Sequence, residues 1–190
     1  NKNAQHSYIE AAKAKGYEVL ILDSPIISHL MQKLETSGDG KVKFSRVDAD
    51  HVDNLIKKDD TVISKLSDEE KDTLKPIIEA NVPKQTYTVQ LEAMDSNAYP
   101  FMITVPEFMR RMKEMSATGG GMFGMGSLPD MYNLVVNTNH ELVSEILNTK
   151  DEGAQKRLIS QAFDLAKLSQ NLLHGEELTS FIKRSYELIK

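Results

Sequence analysis

The 190-residue chain carries 23 Lys+Arg against 28 Asp+Glu, a formal charge of -5, with 40% hydrophobic residues, 6% aromatics, and neither cysteine nor tryptophan. That balance argues against a general nucleic-acid binder, which needs a basic face for phosphate. The missing cysteine removes disulfides, thiol catalysis and thiolate metal sites together, as suits a reducing cytoplasm. The length allows two modest domains with mainly aliphatic cores, and no apolar run is long enough to span a membrane.

Taken in order, the chain opens without a signal-peptide pattern and reads as a piece of a longer protein. Ser7 to Lys15 is predicted helical and ended by Gly16, and the continuous apolar run Tyr17 to Leu22 is predicted to be a buried strand. Asp23 and Ser24 are placed to cap a helix with Pro25 at its start and Ile26, Ile27, Leu30, Met31 and Leu34 as its apolar stripe. Thr36 to Gly40 reads as a turn and Val42 to Val47 as a further strand. Asp48 or Asp50 is then expected to cap a short helix carrying Val52, Leu55 and Ile56. These elements form an α/β layer over residues 1–62.

A second unit, residues 63–190, begins at the capping box Ser67-Asp68-Glu69-Glu70, whose helix is predicted to reach about Ala80. Strict alternation marks Thr86 to Ala93 as a strand with Tyr87, Val89, Leu91 and Ala93 on one face. Tyr99, Phe101, Ile103 and Val105 repeat that alternation after a turn at Met94 to Asn97, so the two strands are expected to pair as a hairpin. Met131 to Val136 reads as a third strand, followed by a helix capped by Asn139 and running to about Asn148. The expected fold class is α+β, with a short three-stranded, mainly antiparallel sheet.

The chain closes on a helical hairpin. Leu158, Ala162, Leu165 and Leu172, with Ile159, Phe163, Ala166 and Leu173 alongside, make a wide stripe ended by Gly175. Leu178, Phe181, Ile182 and Ile189 make a second. So much apolar surface either folds onto the preceding sheet or meets a second copy of itself under two-fold symmetry.

Pro106 to Met131 holds six of the nine methionines and five of the ten glycines. Pro106 and Glu107 suit a helix start. Phe108, Met112 and Met115 then share a stripe with Met109 at its edge, while Arg110, Lys113 and Glu114 face away. Such a stripe ordinarily faces a core, yet unbranched thioethers also suit an adaptable binding surface. The run Gly119 to Gly126 follows a helix and lacks the Lys-Ser/Thr of a phosphate loop. The five histidines form no helical ligand pair, so no metal site is expected, and no GxSxG elbow or acid/base dyad is present. The pair Arg110 and Arg111 could bind an anion, though such a pair is more often a solvated helix face. No catalytic residue is assigned.

In order, KGYEVLILDSPI, FSRVDAD, YTVQLEAMDSNAYPFMITVPEFMRRMKEM and YNLVVNTNHELV, with the closing hairpin, resemble the ninety-kilodalton heat-shock chaperones in their bacterial form. The resemblance covers essentially the whole chain and is most specific from Tyr87 to Met115. It implies the end of a middle domain over 1–62 and a C-terminal dimerisation domain over 63–190 of a cytoplasmic, ATP-driven chaperone. It also implies that the nucleotide domain, with its ATP and magnesium, lies elsewhere, so that this chain holds no cofactor and no ATPase centre of its own. By the same resemblance, unfolded client proteins would be met by Phe108, Met109, Met112 and Met115, with Met122 and Phe123 following. A homodimer would be held by Leu158, Ala162, Leu165, Leu172, Leu178, Phe181, Ile182 and Ile189. No nucleic-acid or membrane partner is implied. The alternative is a purely structural dimerisation module without client contact. The Gly119 to Gly126 segment departs from the family in being richer in glycine and methionine.

Overall fold

The computed structural model describes residues 5–22, 24, 26–38, 41–50, 55, 62–117 and 130–189. The described elements are α1 His6–Ala14, α2 Ile27–Ser37, α3 Asp68–Glu79, β1 Tyr87–Glu92, β2 Phe101–Thr104, α4 Glu107–Ala117, β3 Tyr132–Asn137, α5 Glu141–Asn148, α6 Glu152–Ser169 and α7 Gly175–Leu188. The fold is α+β, as expected. The chain divides into two compact units. One contains residues 1–57 and 104–132, the other residues 58–103 and 133–190, so the divisions fall inside β2 and β3.

In the first unit α1 ends as its glycine foretells. Gly16 takes φ +78°, and the N–H groups of Gly16 and Tyr17 donate to the carbonyls of Lys13 and Ala12 at 2.9 and 3.0 Å, closing the last turn in a left-handed cap. Tyr8, Ile9 and Ala12 are buried. Residues 17–22 are not a strand; Leu20 is 73% exposed and Ile21 and Leu22 are exposed with it. A strand forms only where a second strand receives its hydrogen bonds, and all three described strands pair among themselves. Residues 42–47 are not a strand either. Both backbone groups of Phe44 are taken by side chains, its N–H by Glu35 and its carbonyl by Arg111, each at 2.8 Å. Helix α2 starts at Ile27 on the carbonyl of Ser24, 3.1 Å away, with no side-chain cap. It extends through Thr36 and Ser37, where a turn was expected, and none of its residues is buried. Asp23, one of the expected caps, Pro25, the expected first helical residue, and the positions Val52 and Ile56 of the next helix lie outside the described residues. Asp48, offered above with Asp50 as a cap for that helix, accepts from Arg46 at 2.8 and 2.5 Å and from Gln5 at 2.9 Å, and its backbone carbonyl receives the Val105 N–H at 3.4 Å.

The second unit builds its own core. The capping box closes with Glu70 N–H on Ser67 Oγ at 3.2 Å and Ser67 N–H on Glu70 Oε2 at 2.8 Å. The sheet order is β1-β3-β2, which corrects the expected hairpin: β3 lies between the two strands. Thr138 N–H reaches the carbonyl of Glu92 at the end of β1, and Asn137 N–H reaches Pro100 at the start of β2, both at 2.9 Å. Thus β3 runs parallel to β1 and antiparallel to β2, and the sheet is mixed. Burial explains the order. Leu134, Val135, Val136 and Asn137 are buried in succession, the mark of a central strand covered on both faces, whereas β1 keeps the alternating pattern of Tyr87 and Val89 inside and Thr88 outside. Helix α3 packs on β1 and α5, and α5 packs on α6. Phe163 of α6 meets Tyr87 edge to face, ring centres 4.9 Å apart. Fully buried Leu74, Ile78, Ile103, Leu134, Ile146 and Ile159 fill this core, each contributing about 2 kcal/mol of transfer free energy.

Two caps differ from expectation. His140, not Asn139, caps α5, its Nδ1 accepting from Leu142 N–H at 3.1 Å. Helix α6 stops at Ser169 and is followed by left-handed Asn171 at φ +54°, while Gly175, at φ +57°, lies farther on and opens α7.

Candidate functional site

The amphipathic helix α4 lies in the first unit and begins where Pro106 accepts from Arg110 N–H at 3.1 Å. Phe108 is 70% exposed, while Met109 and Met112 are half-buried. The side chain of Met115, together with Met122 and Phe123, lies outside the described residues.

The opposite side of α4 is ionic. Glu107 accepts from Arg110 Nε at 2.9 Å and from Arg111 Nε at 2.8 Å. Arg111 then reaches α2, donating to both carboxylate oxygens of Glu35 at 2.7 and 3.0 Å. Four of the five guanidinium N–H donors of Arg111 are thereby matched by the two glutamates and the Phe44 carbonyl. The Arg111 guanidinium and the Phe44 N–H hold the Glu35 carboxyl at about 2, well below its ordinary value. Burial alone would raise Glu107, but Arg110 and Arg111 keep it lowered. The arginine pair, expected on a solvated face, is therefore part of a closed network. Its Glu107 half was legible as an i,i+3 and i,i+4 pattern. Its Glu35 half, 76 residues away in sequence, left no local signal.

The hairpin α6–α7 separates its apolar residues into two faces. Ile159, Ala162, Phe163, Ala166, Leu173 and Phe181 are buried within the chain. Leu158, Leu172 and Leu178 are half-buried. Leu165 at 51%, Ile182 at 45%, and also Leu168, Tyr186 and Ile189 are exposed. Ala162 and Phe181 thus belong to the chain's own core, and Leu168 and Tyr186 join the outward stripe. Polar contacts fix the hairpin: Arg184 donates to Gln161 at 2.9 Å and to Asp164 at 2.6 Å. Lys167, itself buried, pairs with Asp164 at 2.9 Å and Glu177 at 3.1 Å.

A third cluster escaped sequence reading because it consists of short polar residues. Fully buried Asn137 accepts from the N–H groups of Met94 and Asn139 at 3.2 and 3.0 Å and donates to the Asp95 carbonyl at 2.8 Å. Asn139 donates to the carbonyls of Ile63 and Met94, both at 3.0 Å, and accepts from Lys65 N–H at 2.6 Å. These two amides fasten residues 63–65 and the 94–95 turn to the end of β3.

Among the described residues no three His, Asp or Glu side chains converge as metal ligands, and no helix is long and apolar enough to cross a membrane.

No family model matches the sequence. Curated relatives do. The chain is 34% identical to a chaperone protein HtpG of Bacteroides fragilis and 33% identical to that of Bacteroides thetaiotaomicron, each over 260 aligned positions covering all of this chain and 37% of the relative. It is 37% identical to the HtpG of Porphyromonas gingivalis over 171 positions, covering 88% of this chain and 25% of the relative. The longer alignments exceed the 190 residues of this chain, so those relatives carry stretches without a counterpart here. The chain is a homologue of the bacterial HtpG chaperones, heat-shock proteins of the ninety-kilodalton family, matched along its whole length to a little over a third of theirs.

Proposed function

We propose that this chain is the dimerising and client-holding part of an HtpG-like chaperone, the end of the middle domain followed by the C-terminal domain. ATP and its magnesium would be bound by a nucleotide domain outside this sequence. A second copy would cover the outer stripe of the hairpin, where Leu165 and Leu168 on α6, Ile182 and Tyr186 on α7, and Ile189 just past it are exposed. Burying such stripes across a two-fold axis is the closing arrangement of helical pairs. Unfolded clients would be met by Phe108 with Met109 and Met112, soft side chains that adapt to many shapes. Two copies of a weak apolar surface, held in one dimer, would add avidity.

The observation that carries this reading is that α4 leaves Phe108 exposed while Glu107, Arg110 and Arg111 on its other side are engaged with one another and with Glu35. The test is replacement of Phe108 and Met112 by serine. Suppression of client aggregation is expected to fall several-fold with the dimer mass unchanged. Unaltered suppression would favour the purely structural dimerisation module, and unfolding would show that the stripe is core.

A further inference from the structure

We infer that Glu35, Phe44 and Arg111 form an ionic latch that positions α4, so that the helix is attached mainly by charge and can be released without unfolding the unit around it. The inference rests on the reading of α4 as the client helix only for the consequence of release. The attachment itself stands on geometry.

In its described first half α4 has no fully buried side chain. Phe108 is exposed, and Met109 and Met112 are half-buried. Over these described residues little apolar burial holds the helix down. Against this, Arg111 makes a bidentate pair with Glu35 on α2, the arrangement in which a planar guanidinium binds carboxylate most strongly. The same guanidinium donates to the Phe44 carbonyl, and Glu35 accepts the Phe44 N–H. One carboxylate and one guanidinium thus tie three segments together: α2, residues 41–46, and α4. Glu107 completes the set by accepting from Arg111 Nε at 2.8 Å, which orients the guanidinium toward Glu35. All three charged side chains stay partly exposed, between 21 and 27%, so water reaches the pair and the cost of opening it is moderate. A core of leucines would open only with the whole unit. An ion pair at the surface of the contact opens by itself.

The test is amide exchange of the full chain, read at Arg110 to Ala117. Arg111→Gln and Glu35→Gln are each expected to speed exchange of these amides about tenfold, the weight of a lost charge-assisted pair, while α1 and the second unit keep wild-type rates. The double variant should be no faster than either single one, and Arg111→Lys should fall between. In the wild type, added salt should accelerate the α4 amides, and it should not do so in the double variant. Unchanged α4 exchange in the single variants, or acceleration spread equally over α1, overturns the latch. The same variants assayed for client capture separate the two readings. Faster α4 exchange without any change in capture leaves the latch standing and retires the client assignment.

Discussion

The two units are held by different forces. The second closes a core of fully buried aliphatics around a central strand, and its buried polar residues, Asn137, Thr138 and Asn139, are satisfied. Among its described residues the first buries three apolar side chains, all on α1, and is tied as well by charge, through Asp48 with Arg46 and Gln5 and through Glu35 with Arg111. Its apolar residues, Leu20 to Leu22 and the face of α2 with Ile26, Leu30 and Leu34, remain on the surface. Both units carry helical apolar stripes, so periodicity alone does not decide burial. What covers the stripe decides it, and that is a long-range property.

Substitutions at matched leucines should expose the contrast most strongly. Leu134→Ala, in the middle of the central strand with no solvent exposure, is expected to destabilise the second unit by about 3–4 kcal/mol through lost transfer energy and a cavity. Leu30→Ala on α2, where the side chain is 48% exposed, should change stability by less than about 0.5 kcal/mol. Denaturant melts followed separately in each unit read both. Comparable losses would mean that the two units are packed alike.

Asn139→Ala comes next, at about 2–3 kcal/mol. It removes the partner of the Lys65 N–H and of the Ile63 carbonyl in part-buried bonds and orphans the buried Met94 carbonyl, and unpaired buried groups cost more than the bonds they lose. Loss of protection at Lys65 would accompany it.

For the first unit the corresponding probe is titration of Glu35 by carboxyl carbon chemical shift. Its carboxyl is depressed from 4.5 to about 2, so its contribution is complete above the unfolded value near 4.5 and disappears as pH falls toward 2. Arg111→Gln should return the midpoint toward 4.5. An unshifted midpoint in the variant would assign the depression to Phe44 and Lys43 instead.

A small effect of the opposite sign is expected at Thr104, whose buried hydroxyl has no hydrogen-bond partner among the described residues. Thr104→Val should be neutral or stabilising by up to about 1 kcal/mol, since it removes an unpaired polar group at nearly constant volume. Destabilisation beyond that would reveal a partner for the hydroxyl.

Local signals were legible. The Ser67–Glu70 box, the Gly16 cap and the Tyr87/Val89 alternation each depend on residues a few positions apart, and each formed as expected. Failures came where a distant partner decides. Strand pairing across β1-β3-β2 depends on residues some forty positions apart, and the two strands expected at 17–22 and 42–47 did not form. In the candidate site, the amphipathic character of α4 was readable from spacing. The latch was not, because Glu35 reads as one more solvated residue at the end of a helix. The hairpin stripes were readable as apolar but not divisible into inner and outer faces, because Leu165 and Ala166 are sequence neighbours that differ only in what they face.

Photo-crosslinking from two positions tests the functional division most directly. A photoreactive residue at position 108 should give adducts with an unfolded client, and one at position 182 should give adducts between two copies of the chain. Client adducts at 182 with none at 108, or the absence of self-adducts at 182 in a sample that scatters as a dimer, would contradict it.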